Sequence, residues 1–372
     1  MTGHPPAAFR WLQQRCEELV GAARFTNAAG QVCYYPAAHG HTYPKLYLRD
    51  FVYMYESAPE FFASDNVRVL TGSLLANVRE DGWAPEGITA EGRPNYRCHG
   101  NADVVDSGPF LVKLVGAYVA HAGDAAFASP HLDTLWRALA VLPQDPATGL
   151  IWVDPAVPRT AYGFTDTIAI TGRHLFCSLL VFEALGVLRN LADRGGRPDL
   201  RARAEAWRGR IAAALPTLWS PATGMFHAGS CQCRQIDVWG SVFACHVGAT
   251  TDAQRQAIGG YLTGHRSQVE YRAHLRHLPA PQFWDGMIPP WEQRLPPGEF
   301  QNGAYWSTPS GWFAELLERE RPGEGCRLLT ALVAAFQEIG VWECIRPDGY
   351  RRVADNLSSA LLPYASFKRL LA

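Results

Sequence analysis

The chain has few charged residues and no excess of either sign. Its 372 residues include 34 lysines and arginines against 35 aspartates and glutamates, and charged residues make up only 19%. No basic stripe occurs, which argues against nucleic acid and anionic membrane as partners. No run of about eighteen unbroken apolar residues occurs, and no basic segment followed by an apolar one opens the chain. We therefore expect neither a membrane span nor a signal peptide.

Motifs of several enzyme classes are also missing. No glycine-rich phosphate loop and no Gly-x-Ser-x-Gly segment occurs, so neither nucleotide binding nor a serine hydrolase is indicated. Nine cysteines is an odd number, and Cys16, Cys177 and Cys245 lie in apolar helical windows. This pattern is typical of reduced thiols in a cytoplasmic protein. A single residue separates Cys231 from Cys233, which does not fit zinc-ligand spacing, and we expect no metal and no cofactor.

A repeated pattern runs through the rest of the chain. At intervals of roughly sixty residues, a polar pair precedes a window whose apolar residues have helical spacing. Such a repeat indicates one helical hairpin used several times, and polar starts on one rim would surround a common pocket. The pairs are Arg49-Asp50, Asp106-Ser107, Asp166-Thr167, Asp237-Val238, Asn302-Gly303 and Asn356-Leu357.

Amphipathic windows alternate with windows that are apolar all round, which predicts an outer ring of helices around an inner ring. We expect residues 1–372 to form one all-α domain, an (α/α)6 toroid of six helical hairpins. Long loops rich in glycine, proline and aromatic residues should lie on one face, with short strand pairs at 149–153 and 225–227. An open helical solenoid is the alternative, but the repeats share no consensus and their loops are long. The predicted helices span 5–22, 50–62, 67–78, 106–121, 131–142, 167–191, 200–218, 237–247, 252–263, 304–317, 324–339 and 356–370.

Two segments resemble those of known glycosidases. Residues 47–51, Tyr-Leu-Arg-Asp-Phe, resemble the Trp-x-Arg-Asp-Phe segment of the six-hairpin glycosidases, which include the neutral/alkaline invertases and the related trehalases and glucosidases. Residues 103–108, Asp-Val-Val-Asp-Ser-Gly, resemble the invertase Val-Asp-Ser-Gly segment. Segments 162–167 and 300–306 resemble uncharacterised bacterial members. The resemblance implies an (α/α)6 barrel that hydrolyses glycosides, with Asp106 as general acid.

Glycoside hydrolysis needs one carboxyl to protonate the leaving oxygen and another as base or nucleophile. Asp106 is the expected acid if burial raises its pKa, and an ordinary helix N-cap is the alternative. Glu343 is the expected base, because inverting members of the superfamily supply theirs from a late loop. Asp285 and Glu299 are its rivals, and an exposed loop glutamate is the other interpretation. In an inverting enzyme the two carboxyls lie about 6.5–9.5 Å apart.

Further polar and aromatic residues are predicted to bind substrate. Arg49 and Asp50 are expected to hold sugar hydroxyls, with a structural ion pair as the competing interpretation. Tryptophan rings can stack on a pyranose face, although tryptophan also packs large cores. The predicted binding residues are Arg49, Asp50, Trp83, Glu86, Asp166, Asp237, Trp239, Trp284, Asp285, Gln301, Asn302, Trp306 and Tyr350.

The sequence therefore predicts a cytoplasmic glycoside hydrolase of a small saccharide, neutral because few basic residues flank the supposed pocket. A sugar epimerase, isomerase or lyase on the same fold is the first alternative, and it would need His39, His41, His99 or His174 at the pocket centre. A non-catalytic sugar-binding protein is the second alternative. It would keep the tryptophan wall but lack a correctly spaced acid and base.

Overall fold

Six helical hairpins form a closed double ring. The computed structural model describes residues 6–98 and 102–372, and within these ranges twelve helices have nine residues or more. They are α1 Ala7–Ala23, α2 Leu48–Ser57, α3 Ser64–Ala76, α4 Ser107–Ala122, α5 Leu132–Ala140, α6 Leu175–Arg194, α7 Pro198–Ala214, α8 Val238–His246, α9 Asp252–Gly264, α10 Ser310–Glu320, α11 Glu324–Ile339 and α12 Leu357–Leu371. The predicted start of the first helix, residue 5, and His99 lie outside the described residues.

The even-numbered helices form the inner ring. Helix α2 packs on α4, α4 on α6, α6 on α8, α8 on α10 and α10 on α12, and α12 returns to α2. The odd-numbered helices lie outside; α7 packs on α6, for example, and α1 on α11 and α12. Closure of the inner ring excludes the open solenoid and confirms the all-α toroid.

Burial follows from the position of each helix in the ring. An outer helix buries one stripe, as α1 does with Phe9, Leu12, Cys16 and Leu19. An inner helix packs against both the central axis and the outer ring, and therefore buries almost every side. Helix α4 illustrates this with an unbroken buried run from Ser107 to Val115.

Short antiparallel strand pairs lie in the connections. The strands predicted at 149–153 and 225–227 are confirmed at Trp152–Val153 and Met225–Phe226, and the others were not predicted. The strands are β1 Arg24–Thr26 and β2 Val32–Tyr34, β3 Lys45–Tyr47 with β4 Gly87–Thr89 and β5 Pro94–Asn95, β6 Trp152–Val153 and β7 Gly172–Arg173, β8 Trp219–Ser220 and β9 Met225–Phe226, β10 Glu270–Tyr271 and β11 His274–Leu275, and β12 Trp342–Ile345 and β13 Arg351–Ala354.

Two predicted helix starts are wrong. The helix predicted from residue 167 begins at Leu175, because Ile168 bridges to Met287 and residues 167–171 are rich in β-branched side chains. The helix predicted from residue 304 begins at Ser310, since Trp306 bridges to Leu275 and Pro309 disfavours helix before it. Asp166 and Asn302 consequently lie in loops well ahead of their helices.

One helix among the described residues, α6, is long and apolar enough to cross a membrane by length and composition alone. Its most apolar window is 72% buried within the protein, as in the core helix of a toroid.

Candidate active site

A cavity of about 190 Å³ opens where the inner helices begin. Its wall is polar and aromatic and comes from segments far apart in the chain. Because Asp50, Asp166 and Glu343 all contribute to the wall, three carboxyl groups share one small space. The lining residues are Pro36, Thr42, Tyr43, Tyr47, Arg49, Asp50, Cys98, Gly163, Phe164, Asp166, Trp291, Phe300, Gln301, Glu343 and Arg352.

Glu343 lies on β12 with only 3% of its surface exposed. The Tyr43 hydroxyl donates to its Oε1 at 2.5 Å. Its Oε2 lies 3.5 Å from Arg352 Nε, and no hydrogen bond reaches either atom from the described residues. Burial raises the pKa of Glu343 to about 8, and the charges of Asp50 and Asp166 add to this rise. Tyr43 and Arg352 oppose it. At neutral pH this carboxyl is therefore poised near its own titration.

Asp166 is held at the cavity by neighbouring polar groups. It follows the 3₁₀ turn Gly163–Thr165. Its Oδ1 accepts from Gln301 Nε2 at 2.8 Å, and the Cys98 thiol donates to its Oδ2 at 3.1 Å. Gln301 also donates to the Gly163 carbonyl at 3.1 Å and accepts from the Thr167 backbone and hydroxyl. A single amide side chain thus fixes both ends of the loop that carries Asp166.

Asp50 lies in the first turn of α2, where it is buried. Burial raises its pKa to about 6, which Arg49 only partly offsets. The Ser358 hydroxyl donates to its Oδ1 at 3.4 Å, and Arg49 Nη2 lies 3.5 Å from its Oδ2. Asp50 is therefore a buried carboxyl group on the cavity wall.

Asp106, the predicted acid, is not brought to the cavity. It is 1% exposed, and its Oδ2 accepts from Arg49 Nη1 at 3.0 Å and from the Gly163 amide at 2.9 Å. It does not cap α4 through its side chain either. Burial raises its pKa. Asp106 therefore lies behind Arg49 and Gly163, which do line the cavity, and anchors both.

Of the predicted binding residues, Arg49, Asp50, Asp166 and Gln301 line the cavity. The structure uses several of the others as supports or as core residues. The predicted residues away from the wall are Trp83, Glu86, Asp237, Trp239, Trp284, Asp285, Asn302, Trp306 and Tyr350.

Several of the residues away from the wall have identifiable structural roles. Asp237 is the N-cap of α8 and accepts from the Gly240 amide at 2.9 Å. Trp239 and Trp306 are fully buried in the core. Asn302 Oδ1 accepts from the backbone amide of Trp284 at 2.9 Å.

Two more of the predicted residues, Trp284 and Glu86, make hydrogen bonds near the cavity. Asp285 does not contribute to the cavity wall. The Trp284 indole donates to the Gln301 carbonyl at 3.0 Å, which steadies the segment that holds Asp166. Glu86 accepts from Lys45 at 2.6 Å, beneath β3. Asp285, a rival for the second carboxyl, is exposed at the surface.

No histidine is among the described residues that line the cavity. His39 and His41 are exposed. His174 is buried and caps α6 by accepting from the Cys177 amide, and burial lowers its pKa to about 3. His99 lies outside the described residues. Proton abstraction by a pair of facing histidines therefore has no support in the described cavity.

Some residues on the wall were not predicted, notably Tyr43, Cys98, Trp291, Phe300 and Arg352. For Arg352 a signal was present. The Pro-Asp-Gly sequence at 347–349 is typical of a turn, and a hairpin about it brings residue 352 back beside 344. Tyr43, Cys98 and Phe300 reach the cavity from loops and turns, and Trp291 opens the 3₁₀ turn Trp291–Gln293.

Solved structures show what the fold is similar to. The chain matches no protein-family model and no curated protein. It superposes on a rhamnosidase from Klebsiella oxytoca with rhamnose bound, with a TM-score of 0.71 and 16% identity over 98% of this chain. The chain spans 65% of that rhamnosidase. A GH63 mannosylglycerate hydrolase from Thermus thermophilus gives a TM-score of 0.70 and 15% identity, covering 96% of this chain and all of the other.

The chain has the same helical fold as these solved glycosidases. A further structure, described as a glycosidase, gives a TM-score of 0.68 and 13% identity, covering 98% of this chain and 97% of the other. The fold implied by the resemblance is thus confirmed. The likeness does not assign a substrate, because one fold supports many activities.

Proposed function

We propose that the protein is a glycoside hydrolase for a small neutral saccharide or glycoside, with Asp166 and Glu343 as its carboxyl pair. The observation that carries this proposal is that both carboxyls line one small cavity although they come from separate loops. Glycosidases need such a pair on either side of the scissile bond. The fold shared with solved glycosidases supports the assignment.

Asp166 takes the role of general acid in place of Asp106, and Glu343 acts as base. The base must face a water molecule, and Glu343, which lines the cavity, has a carboxyl oxygen, Oε2, to which no described group donates. Asp166 then gives its proton to the glycosidic oxygen while Glu343 accepts one from the attacking water, so the anomeric configuration inverts. A late-loop glutamate base also agrees with the family resemblance.

The rest of the wall suits a sugar ring. Phe164, Trp291 and Phe300 offer aromatic surface to its apolar faces, while Asp50 and Gln301 offer hydrogen-bonding groups to its hydroxyls. Small sugars, rhamnose and glucose, occupy two of the structurally similar proteins.

The two cavity arginines favour a neutral substrate. Arg49 pairs with Asp106, and Arg352 lies beside Glu343, so the protein already compensates both positive charges. All nine cysteines lie within the described residues and are free thiols, which supports a cytoplasmic location.

A panel of disaccharides and aryl glycosides with a reducing-sugar readout tests this function. We expect the wild type to release sugar from at least one substrate, and Asp166→Asn and Glu343→Gln each to lower turnover by about a hundredfold or more. Asp285→Asn, which changes an exposed carboxyl, is the matched control and should keep wild-type turnover. Absence of release from every substrate would favour a non-catalytic sugar-binding protein, whereas release that survives both changes would contradict the assignment of the carboxyl pair. Proton NMR of the first anomer released tests inversion.

A further inference from the structure

We infer that Tyr43 is a positioning residue that acts through Glu343, because it fixes Oε1 while Oε2 has no hydrogen-bond donor among the described residues. This inference rests on the proposed function, because it gives Glu343 the role of base. Tyr43 lies in the loop before β3, three hundred positions from its partner. Its ring meets Tyr47 edge-on, with 5.7 Å between ring centroids. The hydroxyl is therefore held by packing on one side and by Glu343 on the other.

The two oxygens of Glu343 have different surroundings. Oε1 receives the Tyr43 hydroxyl at 2.5 Å. Oε2 faces Arg352 Nε at 3.5 Å, too far for a hydrogen bond, and the guanidinium lies over the Phe300 ring, 4.1 Å from its centroid. Among the described residues, the Tyr43 contact is thus the hydrogen bond that sets the orientation of this carboxyl.

Three charged side chains on three other parts of the fold affect the ionisation of Glu343. Arg352 lies on β13, Asp50 on α2 and Asp166 on the loop before α6. Asp50 and Asp166 disfavour ionisation of Glu343, whereas Arg352 and the Tyr43 hydroxyl favour it. A hydroxyl that donates to a carboxylate stabilises the charged form, which is the form that a base needs. Burial keeps the pKa of Tyr43 well above its usual value, so the hydroxyl retains its proton and remains a donor.

Replacing the hydroxyl tests this role in turnover. Tyr43→Phe keeps the ring and removes the donor, and we expect kcat/KM to fall about tenfold to hundredfold. The rising limb of its pH profile should move to higher pH, because Glu343 then ionises less readily. Tyr43→Gln restores an N–H donor and should move the limb back. Tyr35→Phe, the same change at a tyrosine stacked on Phe25 away from the cavity, should leave rate and profile unchanged.

Infrared difference titration separates this inference from the proposed function, because it needs no substrate. The carboxyl signal lost in Glu343→Gln identifies Glu343, and its midpoint is then compared between wild type and Tyr43→Phe. A higher midpoint in Tyr43→Phe supports the positioning role even if no glycoside is hydrolysed. An unchanged midpoint overturns it, even if turnover falls. If Tyr43→Phe does not fold, the midpoints of Tyr43→Gln and Tyr43→Leu are compared instead, because Gln has a hydrogen-bond donor and Leu has none.

Discussion

The guanidinium of Arg49 occupies the space that a Cβ would take at Gly163. Asp106 holds the two together, since one of its oxygens accepts from Arg49 at 3.0 Å and from the Gly163 amide at 2.9 Å. Gly163 opens the turn that leads to Asp166. Asp106, which the sequence predicted as the catalytic acid, therefore supports the loop that carries Asp166 through its two hydrogen bonds.

A side chain at residue 163 should break this arrangement. In Gly163→Ala the new methyl group overlaps Arg49, which must move together with the loop. We expect a loss of about 1–3 kcal/mol in the free energy of unfolding, measured by urea denaturation. Turnover should fall by at least about tenfold, because sub-ångström positioning of the acid is lost.

Gly209→Ala is the matched control. Gly209 lies in α7 with nothing near the position of an added Cβ, so alanine should be neutral or slightly stabilising. Equal effects at residues 163 and 209 would contradict the close approach of Arg49.

Removing the charge at Asp106 should cost stability more than chemistry. Asp106→Asn removes the nearer of the two carboxylates beside the buried Arg49, at 3.0 Å against 3.5 Å for Asp50, and breaking a buried ion pair typically costs about 3–5 kcal/mol. Denaturant unfolding measures this loss. Asp133→Asn, which breaks an ion pair at the surface, should leave the midpoint in place. A fully stable Asp106→Asn protein would show that the pair does not anchor the site.

Local sequence patterns predicted the ring of helices well, because a polar residue followed by an apolar run marks the start of most inner helices. Asp237 and Asn356 stand directly before apolar runs and cap α8 and α12. The failures at Asp166 and Asn302 have a non-local cause. After each of these residues the chain forms a β-bridge to a distant segment, Ile168 with Met287 and Trp306 with Leu275. A short window of sequence does not contain the information about such a distant partner.

The site was predictable in part for the same reason. Arg49 and Asp50 lie at the start of α2, Glu343 lies in the connection before α12, and these residues were predicted at the site together with Asp166 and Gln301. Tyr43 contacts Glu343, which lies three hundred positions later in the chain. Composition and periodicity do not predict a contact between such distant residues. The position of Asp106 was not predictable, because an aspartate before an apolar helix has the same local pattern whether it faces the cavity or an arginine behind the wall.

The capping carboxyl of α8 makes stability depend on pH. Burial raises the pKa of Asp237 to about 7, so the folded protein holds this proton more tightly than the unfolded chain does. The charged form is therefore unfavourable, and stability falls as pH rises from about 4 to about 7. Asp237→Asn keeps a capping oxygen without the charge.

We expect Asp237→Asn to be more stable than wild type at pH 8, by up to a few kcal/mol, and similar to it at pH 4. Thermal unfolding at both pH values measures the difference. A variant that is destabilised equally at both would show that the capping charge carries no penalty.

The pH profile of kcat/KM should report the ionisation of Glu343. Its pKa is raised to about 8 by burial, so the carboxylate that acts as base becomes populated as pH rises through that value. Since kcat/KM reflects the free enzyme, we expect it to rise with pH up to about 8. A limb that falls through the same region would instead make Glu343 the acid and exchange its role with that of Asp166.

The most direct measurement compares one sugar with a good and a poor leaving group in three variants. Asp166→Asn should lose most activity on the poor leaving group and much less on the good one, because an activated aglycone needs no proton. Glu343→Gln should lose activity on both alike, and Asp106→Asn should show no dependence on the leaving group beyond that of wild type. If Asp166→Asn hydrolyses both substrates as wild type does, or if the leaving-group effect appears in Asp106→Asn instead, the assignment of the carboxyl pair is wrong.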